Sequence, residues 1–467
     1  MSASYTALVT DPSLAVTASY HHQLLPFYAR FDQAPPPCVY IACSGGRDSL
    51  ALLDVVCQLR TALTLSLHVL HVNHRLQTMS DAWQRQVEAF CKARALPCTS
   101  LTLDWQAADG AQINEQTARQ ARYHALANWL QTNHTAAAPP VLALAHHADD
   151  HAETLLLNLC QGTGLRGLVG MRAVSVQHEF GVPLLLWRPL LAVSRETISA
   201  YAHAHALPYV DDPTNIGTHN RRAWLRAQVL PLLNAEFGGL LDNLTRTSAN
   251  LADAEYIVHA QAEQDLAVCL LAGDAADWTP SQSRLDIAQV ADLPLPRVRA
   301  LLRLWLAQHQ PYAPPRQVIA QIVALLGLDD AHRLSPQNQI HWQGVSVRRY
   351  HNTLYRLAAD YSTEHARWTD SAQAHAAVAA MLATLEPKPD FYPTFSLRRP
   401  HAGERFRRQG KSFHEPLKKL CQRLAIASWQ RDLLWVVEAD GQARALWLPK
   451  RLIWLADAAD ARSAIVG

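Results

Sequence analysis

The chain has 467 residues, which is too long for one ordinary domain and suggests about two to four. Its composition, with 49% hydrophobic and 18% charged residues, is typical of a soluble globular protein and excludes wholesale disorder. The net charge of +2 does not indicate a partner, because a nucleic-acid binder concentrates its positive charge locally.

The sequence shows no sign of a membrane segment, a secretion signal or a cysteine-based scaffold. No apolar run reaches the roughly 20 residues that cross a bilayer, and the first residues lack the basic and apolar regions of a signal peptide. The eight cysteines show no C-x-x-C spacing, which argues against zinc ribbons, iron–sulfur clusters and a disulfide framework. We therefore expect a cytoplasmic protein without a membrane partner, in which most cysteines are buried thiols.

From about residue 36 the sequence alternates between strand and helix patterns. The apolar run PPPCVYIA precedes the Gly-rich turn SGGRDS, and LALLDVVCQLR follows with helical spacing. Strands are also predicted in LTLSLHVLHVN, CTSLTLDW and VLALAHH, with helices in SDAWQRQVEAFCKARAL and INEQTARQARYHALANWLQ. This alternation predicts an α/β domain with a parallel sheet between helices. Ligands bind beyond the carboxyl ends of such strands, where SGGRDS and AHHADD lie.

The remaining chain is predicted to form two further domains. We assign residues 1–235 to the N-terminal α/β domain and residues 236–360 to a mainly helical domain, because PRVRALLRLWLAQHQ and PPRQVIAQIVALLG have helical spacing. The β-like HWQGVSVRRYHNTLYRL ends that domain. An Ala-rich stretch, residues 361–390, is predicted as a linker. Residues 391–467 are predicted as a small α+β domain, with strands LLWVVEAD and ALWLPKRLIWL around a turn at Asp440 and Gly441.

The Gly-rich turn has the features of a phosphate-binding loop. It consists of Ser44, Gly45, Gly46, Arg47, Asp48 and Ser49. The glycines let the backbone approach an anion, while serine hydroxyls and the first amides of the helix donate hydrogen bonds to phosphate oxygens. The lysine of a Walker A loop is missing, which disfavours simple γ-phosphate hydrolysis. In the alternative without a ligand, Asp48 and Ser49 cap the helix of a tight turn.

Two carboxylates follow the VLALAHH strand at a spacing that places them on one helix face. Asp150 and Glu153 are three residues apart, and a pair of carboxylates suits the binding or deprotonation of an amine. Alternatively, Asp149 and Asp150 only favour a helix N-terminus and Glu153 is solvated. A metal-dependent phosphohydrolase is a further alternative, with the ligands His146, His147, Asp150 and His151.

Basic residues mark two other regions. Glu115, Arg119 and Arg122 fall on one helix face, where a salt-bridged surface and an anion-binding site are both compatible with the pattern. Between residues 398 and 423, nine Lys or Arg residues stand against two Glu, which suits an RNA backbone as well as a solvated surface. The nine are Arg398, Arg399, Arg405, Arg407, Arg408, Lys411, Lys418, Lys419 and Arg423. Nearby, Phe406, Phe413 and Trp429 are candidates for stacking on bases or for burial.

Several motifs resemble those of a known family. SGGRDS resembles the S-G-G-x-D-S signature of the PP-loop, or N-type, ATP pyrophosphatases, which cleave ATP to AMP and pyrophosphate. HVNHR at 71–75, ARQARY at 118–123 and AHHADDHAET at 145–154 are similar to segments of the tRNA(Ile)-lysidine synthases. The segments WRPLL, SRETI, DDPTN and LRRPHAGERFRRQG extend the resemblance over nearly the full chain.

The resemblance implies a fold, a reaction and roles for individual residues. It implies a Rossmann-like domain that uses ATP and Mg²⁺ to join L-lysine to the wobble cytidine of the tRNA(Ile) with a CAU anticodon, changing the codon read from AUG to AUA. Cytosine C2 is a poor electrophile, so its oxygen is first adenylylated and the lysine ε-amine then displaces AMP. The implied catalytic residues are Asp48, which also places Mg²⁺, and Arg122, Asp150 and Glu153. The loop residues 44–49 and His74 would bind ATP. Arg119, Arg122, Asp150, Glu153, Arg222, Arg226 and Arg405 would bind the other substrates.

The sequence departs from the family pattern at four positions, and rival functions remain. Arg75 stands where glycine is usual in the HVNHR segment. Ala223 replaces the usual Asn after Arg222, which affects a polar contact, and Ala427 and Trp435 stand where prolines are common. A cytidine thiolase of the same superfamily is the nearest alternative, but such enzymes need a catalytic cysteine or a C-x-x-C pair. A non-catalytic RNA-binding protein is the alternative from another class. A homodimer is a possible assembly.

Overall fold

The computed structural model describes most of the chain and divides it into two compact units, Met1–Val258 and His259–Gly467. The described residues are 7–29, 38–105, 115–135, 138–177, 183–210, 221–271, 283–308, 313–328, 339–357, 366–385, 388–408, 412–424, 426–449 and 451–455. The DDPTN segment, Lys411 and the side chain of Glu115 lie outside these residues, so the predictions that involve them stay predictions.

The first unit contains a six-stranded, mainly parallel sheet, which confirms the predicted α/β fold. Its strands are β1 (Val39–Ala42), β2 (Leu67–Asn73), β3 (Cys98–Thr102), β4 (Val141–Ala143), β5 (Val174–Gln177) and β6 (Leu184–Trp187). The order is β3-β2-β1-β4-β6-β5, and only β5 runs antiparallel to its neighbour. The inner strands β1, β4 and β6 are apolar runs because helices cover both faces of the sheet.

Helices pack on both faces of this sheet. The helices that begin in the first unit are α1 (Pro12–Ser19), α2 (Leu25–Ala29), α3 (Arg47–Leu59), α4 (Ser80–Ala93), α5 (Glu115–Asn133), α6 (Ala148–Cys160), α7 (Leu165–Leu168), α8 (Arg195–Ala204), α9 (Arg221–Trp224), α10 (Leu230–Phe237) and α11 (Leu240–Cys269), of which α11 ends in the second unit. Side chains alternate along a strand, so neighbouring residues of β1 belong to different core clusters. Ile41 lies in the cluster that contains Leu53 of α3, whereas Tyr40 lies in the cluster that contains Leu126 of α5. Among the described residues, no helix combines the length and the apolar character needed to cross a membrane.

The strand order creates a crevice beside β1. The chain leaves β1 through α3 to β2 on one side, whereas β4 lies on the other side. Connections that leave two neighbouring strands in opposite directions open a crevice at their carboxyl ends. The SGGRDS loop follows β1 and the AHHADD segment follows β4, so both predicted motifs lie at this crevice.

The second unit begins with helices and an antiparallel sheet. The strands β7 (Ser283–Asp286), β8 (Gln339–Trp342), β9 (Val345–Tyr350) and β10 (Thr353–Leu357) pair in the order β7-β10-β9-β8. The helices are α12 (Ile287–Ala291), α13 (Leu295–Ala307) and α14 (Arg316–Leu326). Trp305 of α13 is fully buried, and its indole Nε1 donates to Ser283 Oγ at 2.7 Å. The region predicted as mainly helical therefore also contains a four-stranded sheet.

A second antiparallel sheet forms the last part of the chain. Its strands are β11 (Ser396–Arg398), β14 (Trp435–Ala439), β15 (Gln442–Leu448) and β16 (Arg451–Trp454), in the order β11-β14-β15-β16. The short strands β12 (Arg405–Phe406) and β13 (Glu415–Pro416) pair with each other and precede α16 (Leu417–Arg423). Asp440 and Gly441 have φ of 53° and 72°, the left-handed pair that a tight hairpin needs. The predicted turn is confirmed.

The Ala-rich stretch expected to be a linker contains a helix of this core. Helix α15 (Ser371–Ala383) buries Ala374, Val378 and Leu382, which lie four residues apart on one face. These small and aliphatic side chains pack in one cluster with Trp435 and Trp447. Alanine side chains are small and allow a helix to pack closely. The many alanines here therefore belong to a helix that packs in the core, not to an exposed linker.

Candidate active site

A cleft of about 670 Å³ opens at the carboxyl ends of β1 and β4. Ala42, the last residue of β1, and Ala145, which follows β4, both line it. The predicted site residues on its wall are Ser44, Gly46, Arg47, Asp48, Ser49, His74, Arg119, Arg122 and Arg226. Segments far apart in the sequence therefore converge on one cleft. Its size is that of a pocket for a nucleotide-sized molecule.

The loop after β1 has the geometry of an anion cradle. Gly45 has φ of 87°, and a Cβ atom there would lie 3.1 Å from Cγ2 of Val87, so only glycine fits without strain. Val210 N donates to the carbonyl of Gly45 at 3.1 Å, and Ser49 Oγ donates to the carbonyl of Gly46 at 2.9 Å. Gly46 is the N-cap of α3, and no side chain caps this end. Asp48 and Ser49 therefore do not cap α3, whose first amides can bind an anion.

His147 brings the carboxylates of the two motifs together. Its Nε2 lies 3.7 Å from Asp48 Oδ2 and 3.5 Å from Asp150 Oδ2, and its Nδ1 lies 3.5 Å from Asp149 Oδ2. Burial alone lowers the pKa of His147, but the three carboxylates outweigh it and hold the pKa above its ordinary value. The sequence pattern suggested only a metal-ligand role for His147. Its place between the two acidic motifs was missed, because local spacing carries no signal for a contact between segments about a hundred residues apart.

Asp48 fits the role of a magnesium ligand. Its Oδ1 is buried and has no hydrogen-bond partner among the described residues, while its side chain as a whole stays 31% exposed. Mg²⁺ prefers carboxylate oxygens and is usually held by one or two of them together with substrate phosphates. An unpaired carboxylate oxygen beside the phosphate loop has this chemistry.

Arg226 joins the two carboxylates of α6. Its Nε donates to Glu153 Oε1 at 2.6 Å and its Nη2 donates to Oε2 at 3.0 Å, while Nη2 lies 3.6 Å from Asp150 Oδ1. Glu153 is fully buried, and burial raises its pKa although Arg226 opposes the shift. Arg222 Nη2 donates to Thr154 Oγ1 at 3.2 Å on the same helix. The predicted group Asp150, Glu153, Arg222 and Arg226 is thus assembled around α6.

Two arginines and a histidine line the cleft from other elements. Arg119 and Arg122 of α5 are part of the wall, so this helix face is not simply a solvated surface. Burial lowers the pKa of His74 to about 4, with a further contribution from Arg122 and His71. The His74 ring is therefore neutral at physiological pH. Its buried Nδ1 has no hydrogen-bond partner among the described residues.

The chain resembles known proteins both in its domains and over most of its length. Residues 17–233 match the PP-loop domain, residues 285–355 the TilS substrate binding domain and residues 395–459 the TilS substrate C-terminal domain. The tRNA(Ile)-lysidine synthases of Alkalilimnicola ehrlichii and Methylococcus capsulatus are both 33% identical to this chain. The alignments cover 84% and 86% of this chain and 85% and 89% of the relatives. The chain belongs to the tRNA(Ile)-lysidine synthase family.

Other proteins are similar to this chain over a smaller part of it. The tRNA(Ile)-lysidine synthase of Psychrobacter sp. is 33% identical, and the alignment spans 72% of this chain and 66% of that relative. Among solved structures, the U34-tRNA thiolase NcsA of Methanococcus maripaludis gives a TM-score of 0.41 at 16% identity, over 52% of this chain and 78% of that one.

The departures from the lysidine synthase pattern have simple structural settings. Ala223 lines the cleft, so the missing Asn side chain changes the polarity of the wall itself. Ala427 precedes the 3₁₀-helix Ser428–Leu433 with φ of −64°, the value that proline would impose, so alanine keeps this geometry. Trp435 packs in the sheet, and its Nε1 donates to the carbonyl of Trp368 at 3.1 Å.

The structure argues against the two enzymatic alternatives. His146 Nδ1 accepts from Arg188 Nε at 3.3 Å and His151 Nδ1 accepts from Met171 N at 3.1 Å, so a metal could reach these rings only through Nε2. No group of three metal-binding side chains occurs in the described parts of the chain. Cys43 lines the cleft, but burial raises the pKa of its thiol to about 11, which keeps it protonated and unsuited to sulfur transfer.

The basic segment of the second unit is only partly available to RNA. Arg398 pairs with Glu404 at 2.7 Å, and Arg423 pairs with Glu415 at 3.0 Å. Arg405, predicted to bind substrate, belongs to this unit, where its Nη2 donates to the carbonyl of His414 at 2.8 Å. Lys418, Lys419 and Phe413 are exposed, whereas Phe406 is buried. Phe406 therefore cannot stack on a base.

Proposed function

We propose that this protein joins L-lysine to the wobble cytidine of a tRNA(Ile) with a CAU anticodon and converts ATP to AMP and pyrophosphate. The observation that carries this proposal is that His147 Nε2 lies 3.7 Å from Asp48 of the phosphate loop and 3.5 Å from Asp150 of the second acidic motif. Family membership supports the reaction, because the curated relatives are named tRNA(Ile)-lysidine synthases. A simple ATP hydrolase would not need the second acidic motif.

The phosphate loop and the arginines support the first half of the reaction. The amides at the start of α3 and the hydroxyl of Ser44 would bind the β- and γ-phosphates. Ser49 would take part only after its hydroxyl turns away from the carbonyl of Gly46. Asp48 would hold Mg²⁺, which offsets the negative charge that builds on the leaving pyrophosphate. The cytosine oxygen attacks the α-phosphorus, the bond to pyrophosphate breaks, and the base becomes adenylylated. Arg119 and Arg122, which also line the cleft, can stabilise negative charge on the phosphates.

Asp150 and Glu153 support the second half of the reaction in different ways. The side chain of Asp150 is 17% exposed, whereas both oxygens of Glu153 accept hydrogen bonds from Arg226. We therefore assign Asp150 the direct contact with the lysine ammonium group and Glu153 the positioning of Arg226. Asp150 would take a proton from the lysine ammonium group. The freed ε-amine would then attack cytosine C2, the C–O bond to the adenylate would break, and AMP would leave.

The second unit would bind the body of the tRNA. The matched substrate binding and C-terminal domains lie in this unit, and Lys418 and Lys419 provide exposed positive charge near Phe413. Contacts of this kind depend on phosphate charge and weaken with salt. A homodimer and a cytoplasmic location remain predictions; light scattering of the purified protein tests the first.

The test is a direct assay of lysine transfer. The purified protein is incubated with ATP, Mg²⁺, radiolabelled L-lysine and a CAU-anticodon isoleucine tRNA transcript, and both labelled RNA and AMP are measured. We expect labelled RNA that disappears when the wobble cytidine is changed or when Asp48 is replaced by asparagine. AMP without labelled RNA would refute lysine as the nucleophile. Tightly bound tRNA without AMP would indicate the non-catalytic RNA-binding alternative.

A further inference from the structure

Arg188 is a buried cation that lies behind the wall of the cleft. It directly follows β6, and only 7% of its surface is exposed. Its Nη1 donates to the carbonyl of Arg172 at 2.8 Å and to Ser175 Oγ at 3.0 Å. Its Nε donates to His146 Nδ1 at 3.3 Å. Burying a guanidinium costs free energy unless hydrogen bonds compensate, so this arrangement needs an explanation.

The contact with Arg188 determines which nitrogen of His146 carries the proton. A guanidinium only donates hydrogen bonds, so His146 Nδ1 must be the acceptor and must lack a proton. In a neutral imidazole the proton then sits on Nε2. Burial, followed by the charge of Arg188, lowers the pKa of His146 to about 3, so the ring is neutral at physiological pH. The described residues provide no hydrogen-bond partner for Nε2, and His146 lines the cleft.

We propose that Arg188 is a positioning residue that holds His146 in the Nε2–H form, so that this N–H donates a hydrogen bond to an oxygen of the bound substrates. The acceptor is either an α-phosphate oxygen of ATP or the cytosine O2 that becomes adenylylated. In this role His146 is a fixed donor and not an acid or a base, because it neither gains nor loses a proton. The inference rests on the proposed function, since it concerns the same cleft.

Four charged or titratable groups surround His146. Arg188 and Arg119 disfavour its protonation, as does His147, whereas Asp150 favours it. Loss of Arg188 removes the largest of the opposing charges and the donor to Nδ1. The pKa of His146 then rises, and the neutral ring can carry its proton on either nitrogen. Both changes weaken the fixed donor.

The experiment is a double-mutant cycle between the two residues. Arg188→Met removes the donor to Nδ1, and His146→Gln provides an amide N–H near the position of Nε2 that needs no partner to fix its proton. His146→Ala removes the donor altogether. Ser175→Ala is the matched control, because it breaks one bond of Arg188 and leaves its bond to His146. Single-turnover AMP formation is measured for each variant between about pH 5 and pH 8.

The expected result is specific to a positioning role. Arg188→Met should lower the rate about 10- to 100-fold, as is usual when a residue that orients a reacting group is lost. In the His146→Gln background the same substitution should cost less than about threefold. Arg188→Met alone should also gain a titration step that the double variant lacks, whereas Ser175→Ala should follow the wild-type pH profile. His146→Gln should retain most of the activity that His146→Ala loses.

Three results would overturn the proposal. An equal loss from Arg188→Met in both backgrounds, with an unchanged pH profile, would show that Arg188 only holds β5 in place. His146→Gln as inactive as His146→Ala would show that the N–H is not what the site needs. A wild-type rate in Arg188→Met would show that the contact is idle. If the methionine variant does not fold, Arg188→Gln is used in the same cycle.

Two further measurements complete the test. The affinity for ATP in the absence of tRNA identifies the oxygen that accepts from His146 Nε2. His146→Ala should weaken ATP binding if the acceptor is an α-phosphate oxygen, and should leave ATP binding unchanged if the acceptor is cytosine O2. The wild-type protein is assayed first for lysine transfer to the CAU-anticodon isoleucine tRNA. If the wild-type protein transfers no lysine, the proposed function is refuted. If the wild type is active but the double-mutant cycle shows no coupling between Arg188 and His146, only the role of Arg188 is refuted.

Discussion

Replacing Arg226 by methionine would leave a fully buried carboxylate without its cation. Arg226 donates two hydrogen bonds to Glu153, at 2.6 and 3.0 Å, and Glu153 has no exposed surface. Removing one partner of a buried ion pair typically costs about 3–5 kcal/mol. The Arg226 side chain keeps 31% exposure, so water screens part of the attraction. We therefore expect a loss of about 3 kcal/mol in the free energy of unfolding of the first unit.

The size of this loss should depend on pH in a definite direction. Burial already raises the pKa of Glu153, and removal of Arg226 raises it further. Because the folded-state pKa then lies above that of the unfolded chain, the protonated carboxyl stabilises the fold at low pH. This contribution is lost as the pH rises through the folded-state pKa. The deficit of Arg226→Met should thus be largest in alkaline solution and shrink as the pH falls.

Hydrogen exchange read by mass spectrometry on peptides of α6 measures this unit separately from the rest of the chain. Arg221→Met, which removes an exposed arginine of the same segment, is the control and should have little effect. Adding Glu153→Gln to Arg226→Met should recover part of the loss, because a neutral amide has no charge to desolvate. A cost below about 1 kcal/mol for Arg226→Met would refute this reasoning, as would a deficit that neither pH nor Glu153→Gln changes.

Three other substitutions give separate tests. Asp48→Asn should lower AMP formation about 100-fold or more with little change in thermal unfolding, and an active variant would exclude Asp48 as the magnesium ligand. Gly45→Ala forces a side chain into the left-handed region beside Val87 and should cost about 1–2 kcal/mol; calorimetry should show weaker ATP binding, and normal binding would contradict the cradle. Burial lowers the pKa of His151 to about 4, whereas the pKa in the unfolded chain is about 6.5. The neutral His151 ring therefore stabilises the fold above about pH 6.5, and this stabilisation is lost as the pH falls through 4. His151→Asn keeps an acceptor for Met171 N, and thermal melts in acid should therefore show a smaller fall than in the wild type; an equal fall would count against this assignment.

The sequence alone predicted the class of fold and the phosphate loop. Both depend on local patterns, because apolar runs with turn residues between them reveal strands and helices, and SGGRDS is a contiguous motif between a strand and a helix. The hairpin at Asp440 and Gly441 was predictable for the same reason, since those residue types tolerate the left-handed conformation. The Ala-rich stretch was predicted as a linker but contains a packed helix, because composition does not tell whether alanine faces solvent or a sheet.

Only the tertiary structure decided which charged groups meet. The local pattern placed Asp150 and Glu153 on one helix face. It could not show that Arg226 donates hydrogen bonds to both oxygens of Glu153, so that Asp150 is the more accessible carboxylate. Nor could it show that His147 lies between Asp48 and Asp150, or that Arg188 determines the tautomer of His146. Helical and strand periodicity relates residues a few positions apart, whereas these contacts depend on the order of β1, β4 and β6 in the sheet. That order follows from the packing of the whole unit, which no short segment of sequence encodes.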